Sequence, residues 1–256
     1  MAQPRPTTKL VERTDPTFTL TTTQLHALFA PVLPFADKGD TLPILAGVRV
    51  HSSGEYLYAT ATDRYRLGVQ RVKVTPPDED TVGAPPNLVF ILEGSAVRGL
   101  LSLHKTVRGG GDPALTFTVR EDRVTVSGAG PFGFMDSSTS WRTVHGTYPN
   151  LASILTEAVE RANAKTEKHG PPVGACFNPT YLADFRHVTP RHSQEPLRLW
   201  ITSPTKPMLV RVGEDFVGAL MPVRFTGDGE STELDAEWFD ALYAPETTPE
   251  PKAVGA

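Results

Sequence analysis

Between Phe18 and Val144 one pattern occurs twice: a short strand, an amphipathic helix, then strands in succession. In the first copy Phe18-Thr19-Leu20 is extended. A helix then opens behind Thr21 or Thr22, either of which can cap it, and carries Leu25, Leu28, Phe29 and Val32 at spacings of three and four. Pro34 limits that helix, and Ile44–Val50, Tyr56–Thr62 and Leu67–Val74 read as strands. In the second copy Leu88–Leu92 is an apolar strand, and Gly94 or Ser95 opens a helix with Val97, Leu100, Leu101 and His104 on one side. After Gly109–Asp112, the segments Leu115–Val119, Arg123–Ser127 and Phe132–Ser137 alternate as strands, with Glu121-Asp122 at a turn, and Trp141–Val144 follows. Each helix has an apolar stripe that a sheet must cover. The duplication therefore predicts a two-layer α+β domain, antiparallel sheet with helices on one face.

Within the first copy, Tyr56–Val69 (YLYATATDRYRLGV) joins two strands through a polar corner. Leu57, Ala59 and Ala61 fall on one side of the extended chain, and Tyr58, Thr60 and Thr62 on the other. Asp63-Arg64-Tyr65-Arg66 breaks the alternation, and a short Asp there can bond nearby backbone N–H groups.

Beyond Tyr148-Pro149-Asn150-Leu151 the pattern returns in part. Residues 154–168 are helical in composition, with Leu155, Val159 and Ala162 on one side. Ala175–Phe177 reads as a strand and Asn178-Pro179 as a helix start, followed by Leu182, Phe185 and Val188. Leu197–Thr202, Met208–Val212 and Gly218–Val223 read as three more strands. One half of the unit is thus repeated, and a single helix stands in place of the other half. The expected organisation is an arm over residues 1–16, a complete domain over 17–150, a truncated domain over 151–226 and an acidic tail over 227–256. Thr232 can cap a short tail helix carrying Leu234, Trp238 and Leu242.

With 256 residues, 39% of them hydrophobic and 21% charged, the chain can bury a core and is expected to be soluble. A formal net charge of −4 argues against a nucleic-acid grip by the whole surface, while leaving room for a small basic patch. The single cysteine, Cys176, reads as a buried thiol in a reducing setting. The segment MAQPRPTTK lacks the apolar core of a signal peptide, and no apolar run reaches membrane-span length, so a cytoplasmic location is expected. Gly128–Gly133 fits G-x-G-x-x-G, but a strand follows it and Pro131 removes a phosphate-binding N–H. The seven histidines and the carboxylates form no metal spacing and no nucleophile–base pair. Neither a cofactor nor catalysis is expected.

Three stretches together resemble the bacterial sliding clamp family, the β subunit of DNA polymerase III. They are LPILAGVRV (Leu42–Val50) with TATDRYRLGV (Thr60–Val69), WRTVHGTYPNLASIL (Trp141–Leu155), and FNPTYLADF (Phe177–Phe185) with ALMPVRF (Ala219–Phe225). The resemblance runs over residues 17–226 in the family's order and implies the DNA clamp fold: one complete clamp domain like the family's central one, and part of its third. The chain has no counterpart of the family's first domain and lacks the first half of the third. Arg64-Tyr65 stands where a Gly-His pair is common in the family.

The resemblance implies a DNA polymerase processivity factor, not an enzyme. Its partners would be a polymerase or other replication and repair proteins, held through a short hydrophobic motif. The pocket carried over from the family comprises Leu45, Thr62, Arg64, Tyr65, Arg66 and Leu67 on one side. Leu220, Met221, Pro222, Val223 and Arg224 lie on the other, with Leu155 nearby and Arg66 and Arg224 at the rim. The alternative is that these residues only weld two domains together. Double-stranded DNA would be met without sequence preference by Lys38, His26, Arg98, His104, Lys105 and Arg108, if a ring forms. A solvated helix face is the competing reading for those residues. The truncated second domain predicts no stable ring, which makes a clamp-derived peptide-binding module that does not encircle DNA the alternative function.

Overall fold

The computed structural model describes residues 15–39, 42–74, 84–106, 111–129, 136–163, 175–189 and 195–223. The first repeat comprises β1 (Thr17–Thr21), α1 (Thr22–Phe29), β2 (Gly47–Ser53), β3 (Tyr56–Thr62) and β4 (Arg66–Lys73). The second comprises β5 (Val89–Glu93), α2 (Gly94–Leu103), β6 (Ala114–Val119), β7 (Arg123–Ala129) and β8 (Asp136–Arg142). Thr21 is the cap of α1: its side chain accepts from the Gln24 N–H while the Gln24 side chain accepts from the Thr21 N–H. Gly94 opens α2 and donates its N–H to the Ala46 carbonyl at 2.9 Å.

The two repeats exchange their first strands. β1 leaves its own repeat and pairs antiparallel with β6, giving a sheet of order β1-β6-β7-β8. β5 crosses the other way and pairs with β2. The exchange places Phe18 opposite Phe117 and Leu20 opposite Leu115, and all four side chains are buried. The Phe18 and Phe117 rings stack with centroids 4.8 Å apart. Each such aromatic burial is worth roughly 1.5–3 kcal/mol, so neither repeat can close its core without the other. Helices α1 and α2 pack against each other and onto strands of the sheets. The architecture is the α+β arrangement of antiparallel sheet and helices that the duplication implied.

After Leu151 come α3 (Ala152–Asn163), α4 (Pro179–Ala183), a short 3-10 turn (Asp184–His187), β9 (Leu197–Trp200), β10 (Met208–Val212) and β11 (Phe216–Leu220). Asn178 caps α4 by accepting from the Thr180 N–H at 2.9 Å, with Pro179 at the first helical position. β11 pairs with β4, so the second sheet is continuous over seven strands in the order β5-β2-β3-β4-β11-β10-β9. At this seam Gly68 faces Gly218 in register. A Cβ on Gly68 would lie 2.8 Å from the Phe35 ring, and one on Gly218 would lie 2.7 Å from the Phe185 ring. The two glycines let those rings press onto the sheet. Phe35 and Phe185 meet edge to face at 4.9 Å, and Phe216 packs 5.8 Å from Phe35, so three aromatics join the repeat to the half-unit.

Several sequence expectations shift. The strand expected at Ile44–Val50 runs Gly47–Ser53, because a turn closed by Leu45 N–H to Leu42 carbonyl occupies the preceding residues. β8 spans Asp136–Arg142, running from the end of the segment expected at Phe132–Ser137 into the one expected at Trp141–Val144, while residues 132–135 lie outside the described residues. Ala175–Phe177 forms no strand; its Cys176 carbonyl accepts from the Val223 N–H at 2.8 Å, and Phe177 packs against the core. Without a strand to bury it, Cys176 is exposed, contrary to the buried thiol expected. The arm except Asp15-Pro16, the tail with Thr232, Leu234, Trp238 and Leu242, and the Gly130–Gly133 part of the glycine motif lie outside the described residues.

Candidate functional site

On the face of the β4–β11 seam away from the phenylalanine cluster lies an apolar cleft of ≈ 220 Å³. Alternation along the strands decides this division. Leu67 and its register partner Ala219 line the cleft, while Gly68 and Gly218 face the aromatic rings. Leu67 and Ala219 are buried, Met221 is 39% exposed and Ile154, from α3, 41% exposed. Thr62, Arg64, Tyr65, Arg66, Pro149, Leu151 and Pro207 complete the lining. The seam continues past β11, where the Met221 N–H donates to the Tyr65 carbonyl at 2.7 Å and fixes Met221 beside the β3–β4 corner. A second hollow, lined in part by Arg49, Tyr148 and Leu155, shares Pro149 and Leu151 with the cleft.

The corner itself is held by Asp63. Its Oδ1 accepts from the Tyr65 and Arg66 N–H groups at 3.1 and 3.0 Å, and the Thr62 hydroxyl donates to the Arg66 carbonyl at 2.8 Å. Arg64, between them, takes a left-handed φ of 78°. This is the local bonding expected of a short Asp at that position. Asp63 Oδ2 also accepts from Arg66 Nε at 2.8 Å, and a second Arg66 nitrogen donates to Asp184. The guanidinium sits 4.6 Å over Tyr181 and 5.7 Å over Phe35. Arg66 is 4% exposed, and its two carboxylate partners hold its pKa above the ordinary arginine value against the cost of burial. It ties the first repeat to the half-unit.

Residues 19–90 match the family model of the DNA polymerase III beta subunit, central domain. Over these residues the chain is similar to the sliding-clamp family. A beta sliding clamp of Micrococcus luteus is 33% identical over 133 residues, covering 52% of this chain and 38% of that protein. One of Streptomyces coelicolor is 26% identical over 239 residues, covering 75% of this chain and 62% of that protein. The chain thus spans less than two thirds of either relative. Among solved structures, the Thermotoga maritima DNA polymerase III beta subunit superposes with TM-score 0.63 at 17% identity, covering 86% of this chain and 70% of that one. A Pseudomonas aeruginosa sliding clamp bound to griselimycin gives 0.64 at 17% identity, covering 86% of this chain and 68% of that one. These likenesses carry the clamp fold onto nearly all the described residues.

The clamp-family pocket residues divide as follows. Thr62, Arg64, Tyr65, Arg66, Leu67 and Met221 come together in the cleft. Arg66 is corrected in one respect: its charge is not at the rim but buried against Asp63 and Asp184, because strand alternation turns it away from Leu67. Leu45 and Leu220 are buried in the interior and do not line the cleft, Leu220 because it alternates with Ala219. Leu155 lines the neighbouring hollow, and Ile154, one position earlier on α3, takes the place in the cleft. Pro222 and Val223 lie beyond the lining, Val223 48% exposed, and Arg224 is outside the described residues. Sequence reasoning missed Ala219 and Pro207 as walls, and Asp184 and Tyr181 as partners of Arg66. Ala219 becomes visible only through its register with Leu67.

Of the expected DNA-facing groups, Lys38, Arg98 and Lys105 are exposed and Arg108 is outside the described residues. His104 is corrected. It caps the C-terminal end of α2 in a buried position, and its carbonyl accepts from His26 Nε2 at 2.7 Å. Burial, then the nearby His26, lowers its pKa and so disfavours the charged form that a phosphate contact would need. No group of three or more His, Cys, Asp or Glu among the described residues could hold a metal ion, and no helix among them is long and apolar enough to cross a membrane.

Proposed function

We propose that the chain is a sliding-clamp-type replication accessory protein, a non-catalytic DNA polymerase processivity factor. It holds a polymerase, or other replication and repair proteins, by a short apolar peptide seated in the cleft at the β4–β11 seam. The observation that carries this reading is the cleft itself. Leu67, Ala219, Ile154 and Met221 form an apolar wall at a sheet junction where packing alone would leave no hollow. Met221 supplies a pliable side chain that can follow a ligand's shape. Seating one leucine and one aromatic side chain there is worth roughly 1.5–3 kcal/mol each, which fits micromolar affinity. Calorimetric titration with a Gln-Leu-x-Leu-Phe peptide tests it. Met221→Ala should weaken binding by about 1–3 kcal/mol. Unchanged affinity in a folded Met221→Ala protein would remove the cleft from the function.

One observation favours a second reading, a clamp-derived peptide-binding module that does not encircle DNA. Among the described residues no strand covers the free side of β9, where the strands of a further half-domain would pair. Lys38, Arg98 and Lys105 remain the proposed phosphate contacts for a ring. Light scattering and retention on nicked circular DNA separate the readings. A closed oligomer that stays on circles and runs off linear DNA supports the encircling clamp; a monomer that binds peptide and is not retained supports the module.

A further inference from the structure

The two arginines of the β3–β4 corner have different electrostatic states. Arg66 is neutralised by Asp63 and Asp184 in the interior. Arg64 is exposed at the mouth of the cleft, and among the described residues no carboxylate lies within 4.0 Å of its guanidinium, which rests 6.0 Å from the centroid of the Tyr65 ring. The cleft lining contains no Asp or Glu. The nearest turn of α3 carries Glu157, which is paired with Lys206 at 3.7 Å. Among the described residues the cleft is therefore an apolar hollow with an uncompensated cation at its entrance, on a chain whose formal net charge is −4. The backbone supports the same point. Arg64 holds a φ of 78°, a conformation that favours glycine, and the Arg64 N–H is fixed to the Thr62 hydroxyl at 3.2 Å. A side chain kept where glycine would be unstrained points to a use for the side chain.

We propose that Arg64 sets the specificity of the cleft, selecting segments in which an Asp or Glu stands next to the leucine and aromatic anchors. The inference rests on the peptide-binding reading and names the chemistry of its partner. The carboxylate pairs with the Arg64 guanidinium at the mouth while the anchors enter the hollow. Tyr65 limits where the guanidinium can swing.

The test uses the full chain and three fluorescent peptides sharing one anchor sequence: an acidic residue beside the anchors, glutamine there, and the acidic residue moved to the far end. The adjacent acid should tighten binding about two- to fivefold over glutamine, the range of an exposed ion pair, and the advantage should shrink as salt is raised. The far-end acid should give no advantage. Arg64→Gly, which suits the backbone, should bring the adjacent-acid and glutamine peptides to equal affinity, and Arg64→Lys should retain part of the difference. Equal affinity of the adjacent-acid and glutamine peptides for the unaltered protein would overturn the proposal and leave the peptide-binding reading standing. Failure of all three peptides to bind would overturn both.

Discussion

β6 and β9 hold the same place in the repeated pattern, each being the first strand after a helix, yet they end in different environments. β6 is paired on both sides, by β1 and β7, and its Leu115 and Phe117 are fully buried. β9 is paired by β10 alone among the described residues, and Leu197, Leu199 and Ile201 in and just after it are 41%, 44% and 45% exposed. Both sequences alternate apolar residues. What separates them is the strand contributed by the other repeat. Burial in this fold is a property of the exchange between repeats, and a half-unit joined through β11 obtains it only at the seam. That seam, with a tight aromatic face and an open apolar face, is where the cleft lies.

The largest effect should come from cutting the exchange. Phe18→Ala should destabilise the protein by about 3–5 kcal/mol in denaturant unfolding, since it empties the contact with Phe117 and Phe90. A loss below 1 kcal/mol would mean that β1 does not close the core. Next comes the seam. Gly218→Ala puts a Cβ 2.7 Å from the Phe185 ring and 2.8 Å from the Leu67 carbonyl, and the carbonyl cannot move without breaking the ladder. A cost of about 1–3 kcal/mol is expected, read as a lowered Tm. An unchanged Tm would show the seam to be looser than its register implies.

A smaller, pH-dependent effect should arise in the two repeats. Burial lowers the pKa of both His51 and His104, with Arg49 reinforcing the shift on the first and His26 on the second. Each imidazole therefore binds its proton less readily folded than unfolded. Stability is fully present above the ordinary value of 6.5 and is lost as the pH falls from there through the lowered folded-state value, because the unfolded chain then takes up more protons. Denaturation midpoints measured down that range check the sign; midpoints that rise on acidification would contradict it. The smallest effect belongs to the bare edge. Leu199→Ala should change stability by no more than about 0.5 kcal/mol. A larger loss would mean that β9 is covered and would erase the contrast with β6.

The repeat was legible in the sequence because helix caps and strand alternation are local signals: Thr21, Gly94 and Asn178 all open helices where expected. The strand exchange was not legible, since pairing between β1 and β6 spans nearly a hundred residues and leaves no local mark. Half of the candidate site was legible through the corner residues Thr62–Leu67. Two of the corrected positions carry a signal in the sequence. Alternation already sets Arg66 opposite Leu67, and helical spacing already put His104 on the apolar side of α2 with Val97 and Leu100. The walls given by Ala219 and Pro207 depend on the registers of β11 with β4 and of β10 with β11, and follow only from the assembled sheet.

The most direct measurement places the peptide on the molecule. A Gln-Leu-x-Leu-Phe peptide carrying a photoreactive group at its aromatic position can be crosslinked to the full chain and the attachment mapped by mass spectrometry. Attachment within the cleft, at Tyr65–Leu67, Leu151–Ile154 or Met221, is the expected result, with loss of yield in Met221→Ala. Attachment along Leu197–Ile201 instead, unaffected by Met221→Ala, would place recognition on the bare strand edge and contradict the account.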